Sequence, residues 1–289
     1  MFALSSVDST PLFYERWGAP REGRAPLLLL DGVGCDGYVW RYVRRDFTDR
    51  EVVHGHYRGH GRTPIPDDFT QLTLADLADD AASVLDDAQL AKAVVVGHSM
   101  GVQVALEFYR RHADRVRGLA LLCGAPSHPL RTFGGSAALE RALPQVQQVV
   151  ARFPRAINHV LKRVMPTRLA YEIAARTEIR RDAVDPVAFM PYLEGMAQID
   201  ARLFVTTVAA MNMHSAEDML ASVAVPTLVV AGGKDGFTPP ERSREMAARI
   251  PQAVLLELPN GSHTAPLEEP ERISVALSQL LARVDAHPM

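Results

Sequence analysis

Short apolar runs that end in glycine or a polar residue recur along the chain, which is the pattern of strands buried on both faces of a sheet. Residues 26–32 are Pro-Leu-Leu-Leu-Leu-Asp-Gly, a run of this kind. We predict further strands in the similar runs at residues 51–53, 93–97, 118–123, 226–232 and 254–258. At the start of the chain, Phe2–Val7 and Leu12–Trp17 flank a turn-like segment and predict a hairpin.

Between the predicted strands, apolar residues repeat every three or four positions, which is the spacing of helices that pack one face on a sheet. Thr73 and Asp76 resemble a capping box, a pattern that begins a helix. The apolar stripe of a second helix, near the C-terminus, consists of Ile273, Leu277, Leu280, Leu281 and Val284. Alternation of strands and helices predicts an α/β fold, a mostly parallel sheet with helices on both faces.

Residues 126–223 interrupt this alternation. No buried-strand run occurs there, and prolines separate helix-like pieces, so we predict a helical insertion rather than a long loop. Its charge is uneven, since residues 141–181 hold nine Lys and Arg and two Asp and Glu, whereas residues 182–218 hold one and six. One interpretation is solvated helix faces that attract each other. The other is a basic rim that steers an anionic substrate.

The composition narrows the classes of partner and compartment. The 289 residues contain 31 Lys and Arg against 34 Asp and Glu, a net charge of −3. This balance argues against nucleic acid and anionic membranes as partners. No apolar run is long enough to span a bilayer and the first residues lack a secretory signal, so we expect a cytoplasmic protein. Two cysteines cannot form a disulfide framework.

The strongest motif is Gly97-His98-Ser99-Met100-Gly101, which matches G-x-S-x-G between a predicted strand and a predicted helix. This context predicts a nucleophile elbow, a sharp turn that exposes the serine hydroxyl. Glycines at positions 97 and 101 would relieve crowding at the turn. The helix that follows directs its N-terminus at the same point, so that the Met100 N–H can stabilise an oxyanion.

A serine hydroxyl needs a base to become a nucleophile, and the base needs an acid to orient it. After this type of elbow the acid precedes the histidine in the chain. Asp235 follows the predicted strand at residues 226–232, and His263 follows the last predicted strand. The carboxyl ends of parallel strands share one edge of a sheet, so we expect Ser99, Asp235 and His263 to meet there.

With these residues in place, the chain resembles the α/β-hydrolase superfamily over nearly its whole length. The resemblance depends on Leu30–Gly34, Tyr57–Arg62, Gly97–Gly101, Gly232–Asp235 and Gly261–His263. It implies an eight-stranded core made of residues 1–125 and 224–289, and a helical cap at residues 126–223.

The resemblance also implies the chemistry of the site. Ser99, Asp235 and His263 would form a catalytic triad, and the backbone N–H groups of Val33 and Met100 would form the oxyanion hole. The substrate pocket would include Gly32 of the oxyanion loop and Phe237. From the apolar residues of the cap we predict a wall over Ser99, with packing within the cap as the open alternative for each one. The candidates are Phe133, Phe189, Met190, Tyr192, Met196, Phe204 and Met211.

One position departs from the family pattern. Relatives usually carry His-Gly at the oxyanion loop, whereas this chain has Asp31-Gly32. An ionised carboxylate only accepts hydrogen bonds. We therefore predict that Asp31 pairs with His54, His56 or Arg62 on the neighbouring strand and loop.

Three other groups of residues resemble functional sites only in part. His54, His56 and His60 lack further ligands at a metal-binding spacing, so we predict no metal. Cys35 and Cys123 are expected to be small buried residues. The glycines at residues 32–37 match G-x-G-x-x-G formally, but no acidic residue follows at the required distance, so we expect no dinucleotide and no other cofactor.

These residues predict a serine hydrolase that cleaves a small carboxylic ester through an acyl-enzyme. Lactone, thioester and C–C bond hydrolysis use the same triad, with lactones as the first alternative. Cofactor-free haloperoxidase or lyase chemistry also stays open. From a different class, the chain could be a ligand receptor that retains the triad. The sequence does not indicate the acyl group, the alcohol or the oligomeric state.

Overall fold

A sheet of eight strands runs through the computed structural model, which describes residues 1–177, 180, 182 and 184–286. The strands are β1 (Phe2–Leu4), β2 (Pro11–Trp17), β3 (Leu27–Leu30), β4 (Val52–Gly55), β5 (Ala93–His98), β6 (Val116–Leu122), β7 (Thr227–Gly232) and β8 (Ala253–Leu258). Their order across the sheet is β1-β2-β4-β3-β5-β6-β7-β8. The β1–β2 and β2–β4 pairs are antiparallel and all others are parallel. The predicted mostly parallel sheet is confirmed.

The N-terminal hairpin is also present, but its first strand is shorter than predicted. β1 ends at Leu4 instead of Val7, because the Ser5 N–H already donates to the Thr10 carbonyl at 2.9 Å and closes the turn.

Eleven α-helices occur in the described part of the chain. They are α1 (Arg41–Asp46), α2 (Leu74–Asp87), α3 (Met100–Arg111), α4 (Ala138–Arg152), α5 (Pro154–Val164), α6 (Arg168–Thr177), α7 (Pro186–Met196), α8 (Ala201–Met213), α9 (Pro240–Arg249), α10 (Ala265–Glu268) and α11 (Pro270–Asp285). The predicted capping box is confirmed at the start of α2, where the Thr73 hydroxyl accepts from the Asp76 N–H and the Asp76 carboxylate accepts from the Thr73 N–H.

The central strands are buried on both faces, and successive residues contribute to different cores. On β5, Val95 belongs to a core shared with α2 and α3, whereas Val94 and Val96 belong to a core shared with α1 and α11. The same alternation occurs on β3. This two-sided burial explains why these strands are continuous apolar runs in the sequence.

The helices α4 to α8 lie between β6 and β7, within the predicted insertion, and the described residues there form no named strand. A single bridge between Ser127 and Ser215 joins the two ends of this segment. None of the helices in the described ranges has the combination of length and apolarity that crossing a membrane requires.

Candidate active site

Ser99 lies at the tight turn between β5 and α3. Its backbone angles, φ 56° and ψ −119°, are in a region that residues other than glycine rarely adopt. The neighbouring glycines make the turn possible. A Cβ atom on Gly97 would lie 2.1 Å from the Gly101 carbonyl oxygen, and one on Gly101 would lie 2.1 Å from the Leu30 carbonyl oxygen. Both distances are far below van der Waals contact, so neither position accepts a larger residue without movement of the backbone.

The three side chains at positions 99, 235 and 263 form a continuous hydrogen-bonded chain. His263 Nε2 lies 2.9 Å from Ser99 Oγ, and His263 Nδ1 lies 2.9 Å from Asp235 Oδ2. Each residue follows the carboxyl end of a parallel strand, since Ser99 follows β5, Asp235 follows β7 and His263 follows β8. With Nδ1–H donating to the carboxylate, Nε2 is left to accept the serine proton.

The Asp235 carboxylate is buried and receives several hydrogen bonds. Its Oδ1 accepts from the Phe237 N–H at 2.8 Å and the Thr238 N–H at 2.9 Å, and its Oδ2 lies 2.8 Å from the Thr238 hydroxyl. Burial alone would raise the pKa of Asp235, but the His263 imidazole and these donors lower the pKa below its ordinary value of 3.8. Asp235 is therefore ionised at neutral pH and can orient the imidazole.

His263 is held by its ring and by its backbone. Phe237 stacks on the imidazole with ring centroids 4.9 Å apart. The His263 carbonyl lies 2.9 Å from His98 Nε2, which donates to it. Burial and the charge of His263 lower the pKa of His98 to about 4, so His98 is neutral at pH 7. In the G-x-S-x-G motif, His98 is a variable position, so the motif alone does not predict this contact. Only its position next to Ser99 indicates that it lies near the site.

The loop before His263 is anchored by a second carboxylate that the sequence did not reveal. Glu268 Oε2 accepts from the Ser262 N–H at 2.7 Å, and Glu268 Oε1 accepts from the Thr264 hydroxyl at 2.9 Å. Glu268 lies on the short helix α10, five residues after His263. No local pattern distinguishes it from the exposed glutamates of the chain.

Val33 and Met100 line the same cavity as Ser99. Met100 is the first residue of α3, so its N–H has no acceptor within the helix. Among the described residues, no backbone carbonyl accepts a hydrogen bond from either amide. The neighbouring loop is fixed by the Gly34 N–H, which donates to His60 Nε2 at 3.2 Å, while His60 Nδ1 donates to the Arg58 carbonyl at 2.9 Å.

The predicted pairing of Asp31 is confirmed for His54. Asp31 Oδ2 accepts from His54 Nε2 at 2.7 Å, and Asp31 Oδ1 accepts from Trp40 Nε1 at 2.7 Å. Asp31 and His54 are both completely buried. The two other candidate partners contact each other instead, since the Arg62 backbone N–H donates to His56 Nδ1 at 3.0 Å. Trp40 is a partner that the sequence did not indicate.

A cavity of about 260 Å³ adjoins Ser99, and its wall is almost entirely apolar. It is lined by Val33, Ser99, Met100, Gln103, Ala125, Pro129, Leu130, Phe133, Leu139, Leu143, Val146, Phe204, Val205, Val208, Met211, Phe237 and Thr238. Both the core and the insertion contribute to this wall. The lining contains no charged residue, and the Gln103 amide is already used to donate to the Met211 carbonyl at 2.9 Å.

Of the predicted pocket residues, Phe133, Phe204 and Phe237 line this cavity, as does Met211, but Gly32, Phe189 and Tyr192 do not. Phe189 and Tyr192 lie on α7, which packs against the segment that follows β3.

There, Tyr192 stacks on Tyr38 with centroids 4.2 Å apart, and Phe189 contacts Tyr38 edge-on at 5.9 Å. Met190 and Met196, also on α7, are absent from the cavity lining as well. Gly32 lies behind Ser99, where a Cβ atom would be 3.0 Å from Ser99 Cβ.

The remaining candidates from the sequence are structural. Cys35 and Cys123 are buried, and burial raises the pKa of the Cys123 thiol well above its ordinary value. Within the described ranges, no group of three or more His, Cys, Asp or Glu side chains has a geometry suited to a metal ion.

The chain is similar to known proteins in both sequence and structure. A sequence profile described as the alpha/beta hydrolase fold matches residues 25–270. The putative carbamate hydrolase RutD of Caulobacter vibrioides (strain NA1000 / CB15N) is 30% identical over 291 residues, covering 96% of this chain and 97% of that protein. The pimeloyl-(acyl-carrier protein) methyl ester esterase of Chromobacterium violaceum is 27% identical, covering 90% of this chain and 95% of that enzyme.

Among solved structures, the enol-lactonase from Burkholderia xenovorans LB400 superposes with a TM-score of 0.80 at 24% identity. The superposition covers 98% of this chain and 100% of that one. At this identity the likeness establishes the fold and leaves the substrate open.

Proposed function

Because this chain belongs to the alpha/beta hydrolase fold family and is a hydrolase, we propose that it cleaves carboxylic esters through an acyl-enzyme on Ser99. The observation that carries the proposal is the chain of 2.9 Å contacts from Ser99 through His263 to Asp235, with the serine facing an apolar cavity. A nucleophile, a base and an orienting acid in this order are what acyl transfer requires.

In the proposed mechanism, Ser99 Oγ attacks the ester carbonyl while His263 Nε2 takes its proton. The Val33 and Met100 amides donate to the oxygen that becomes negative, and the positive end of α3 adds to this stabilisation. When the C–O bond breaks, His263 returns the proton to the leaving alcohol. Water then attacks the acyl-enzyme with His263 as the base, which regenerates Ser99 and releases the acid.

The wall of the cavity supports an uncharged, apolar substrate. A charged group in this cavity would lose its hydration without finding an ionic partner, which is costly. The volume of about 260 Å³ lies just below the range of about 300–1,000 Å³ that is typical of ligand pockets. We therefore favour esters whose acyl group is a short or medium apolar chain, and an anionic group near the reacting carbonyl is disfavoured.

A fluorophosphonate probe followed by peptide mapping tests the site. Labelling is expected at Ser99 and is expected to disappear in Ser99→Ala, whereas Ser274→Ala, at a serine on the core helix α11, should label normally. Hydrolysis by Ser99→Ala should fall by several orders of magnitude. A label on another residue, or full esterase activity in Ser99→Ala, would overturn the assignment.

A carbamate is the second candidate, because the relative with 30% identity carries the name putative carbamate hydrolase. Lactones, thioesters and C–C bonds use the same groups. A panel of p-nitrophenyl esters, lactones, thioesters and aryl carbamates separates these classes by kcat/KM. A ligand receptor would show no more than one slow event per protein molecule, and a haloperoxidase would require peroxide and halide for its product.

A further inference from the structure

The helical insertion contains a long stretch with positive charge only. Residues 141–171 include no Asp or Glu and six Lys or Arg, namely Arg141, Arg152, Arg155, Lys162, Arg163 and Arg168. None of the six forms an ion pair with a residue in the described ranges, although arginines elsewhere, such as Arg58 and Arg111, do. The acidic residues at 182–218 therefore do not neutralise this stretch through ion pairs within the described structure.

Exposed apolar side chains lie beside these cations. Val149 on α4 is 54% exposed, Phe153 between α4 and α5 is 56% exposed, and Val160 on α5 is 54% exposed. Arg152 and Arg163 follow the two valines by three positions, so each valine shares a helix face with an arginine. The Arg152 guanidinium also lies 6.0 Å from the centre of the Phe153 ring. We call these five residues the insertion face.

Part of the surface of α4 and α5 is occupied by other residues of the insertion, whereas the insertion face is exposed. Leu143 and Val146 of α4 line the cavity together with Phe204 of α8. On α5, Asn158 donates to the Asp200 carboxylate at 3.0 Å and accepts from the Ala201 N–H at 2.8 Å, at the start of α8. Both helices thus pack towards α8, and the five residues of the insertion face stay exposed.

We propose that the insertion face binds the surface of an anionic phospholipid bilayer. Amphipathic helices that combine exposed apolar residues with unpaired Lys and Arg rest in the interface, where the apolar groups enter the headgroup region and the cations meet phosphates. The net charge of −3 argues against such a partner for the chain as a whole. Salt screens charges that are more than about 10 Å away, however, so a bilayer interacts mainly with the charges of the face it contacts.

A second copy of the chain fits this face less well than a bilayer. In a symmetric dimer the same patch meets itself, so Arg152 and Arg163 would approach the same cations of the partner without an acid between them. An anionic lipid surface instead supplies negative charge to every cation of the patch.

The face also adjoins the cavity, because Leu139 and Val146 of α4 line the cavity and are 37% and 40% exposed. A bilayer bound here would lie beside this exposed part of the cavity wall. Binding itself depends on the surface alone and is independent of the function proposed for Ser99.

Co-sedimentation of the full chain with vesicles tests the proposal. We expect binding to vesicles of phosphatidylcholine with phosphatidylglycerol, weakened by salt, and little binding to phosphatidylcholine alone. Arg152→Glu with Arg163→Glu should lower the partition coefficient by roughly tenfold or more. Phe153→Ser with Val160→Ser should lower it as well.

Matched controls exist on the core. Arg21→Glu with Arg41→Glu reverses two exposed cations that form no ion pair with described residues, and Val275→Ser replaces an apolar residue that is 58% exposed on α11. Both controls should bind as the parent does, and circular dichroism should show that every variant is folded.

Equal binding to neutral and anionic vesicles, no binding to either, or equal losses in the control variants would overturn the proposal. So would a concentration-dependent dimer that the insertion-face variants abolish, since the occupant would then be a second copy. Ser99→Ala should bind vesicles as the parent chain does. A failure of vesicle binding is thereby distinguishable from a failure of the proposed esterase function.

Discussion

Replacing Asp31 by asparagine removes a buried negative charge while keeping the shape of the side chain. The carboxylate of Asp31 accepts from Trp40 Nε1 and from His54 Nε2, both at 2.7 Å, and no part of Asp31 is exposed. Asparagine offers one acceptor oxygen and one NH₂ group in the same place. One of the two buried N–H donors would therefore face another donor.

The expected loss follows from these contacts. A hydrogen bond to a charged group contributes about 1.5–3 kcal/mol, and a buried donor without a partner costs about 1–3 kcal/mol. The two effects overlap at one site, so we expect Asp31→Asn to lower the free energy of unfolding by about 2–4 kcal/mol. Urea unfolding at neutral pH measures this. Asp68→Asn, at an exposed loop carboxylate, should change the free energy by less than about 0.5 kcal/mol.

The pH dependence distinguishes the lost charge from a packing defect. Burial raises the pKa of Asp31, but the attraction of His54 and the hydrogen bonds from His54 and Trp40 bring the pKa below its ordinary value of 3.8. A carboxyl group with a lowered pKa stabilises the fold above its unfolded pKa, and this stabilisation is lost as the pH falls through its folded pKa. The difference between parent and Asp31→Asn should be constant from neutral pH to about 5 and shrink below about 4.

Activity provides a second readout, because Val33 follows Asp31 by two residues and its amide is the proposed oxyanion donor. A displacement of the loop should lower kcat by roughly tenfold to a hundredfold and leave KM nearly unchanged. The reasoning fails if Asp31→Asn unfolds within about 0.5 kcal/mol of the parent at neutral pH, or if the stability difference does not depend on pH.

Three further substitutions test the elbow, the acid and the cavity. Gly97→Ala places a Cβ 2.1 Å from the Gly101 carbonyl oxygen, so it should cost about 3 kcal/mol or more, and an unchanged melting temperature would contradict this. Thr238→Val removes the hydroxyl 2.8 Å from Asp235 Oδ2 and should lower kcat by roughly tenfold with little loss of stability. An unchanged kcat would contradict this and show that the N–H groups of Phe237 and Thr238 are enough to hold the Asp235 carboxylate. Val146→Trp should move the optimum of kcat/KM in a p-nitrophenyl ester series to shorter chains, and equal losses at every length would contradict the cavity assignment.

The elements and the order of the site residues were predictable because their signals are local. A fully buried strand must be apolar at every position, and the turn at Ser99 must have glycine at positions 97 and 101, where no Cβ fits. Asp235 and His263 could be found because each follows a recognisable strand and because parallel strands end at one edge.

The walls of the cavity were only partly predictable because an apolar residue on a helix does not indicate which neighbour buries it. Phe204 and Phe189 are both aromatic residues of the insertion, yet Phe204 borders the cavity and Phe189 packs against Tyr38. The difference lies in how α7 and α8 are placed on the core, and that placement depends on contacts distant in the sequence.

Buried polar residues around the site hold its backbone in place, and Asp31 is one of them although the family pattern has histidine at this position. His60 holds the Gly34 amide, His98 holds the His263 carbonyl, and Glu268 holds the loop before His263. Each fixes a piece of backbone next to a group of the proposed mechanism, in which such fixed dipoles would lower the barrier because they need not reorganise during the reaction. Asp31 fixes its own stretch of backbone as a hydrogen-bond acceptor, because its carboxylate binds the ring N–H groups of Trp40 and His54. β3 and β4 pair in parallel with Leu29 opposite His54, so an acceptor just after β3 meets a donor on β4. The loop at this position is therefore held by a complementary buried pair, in which Asp31 is the acceptor and His54 is the donor.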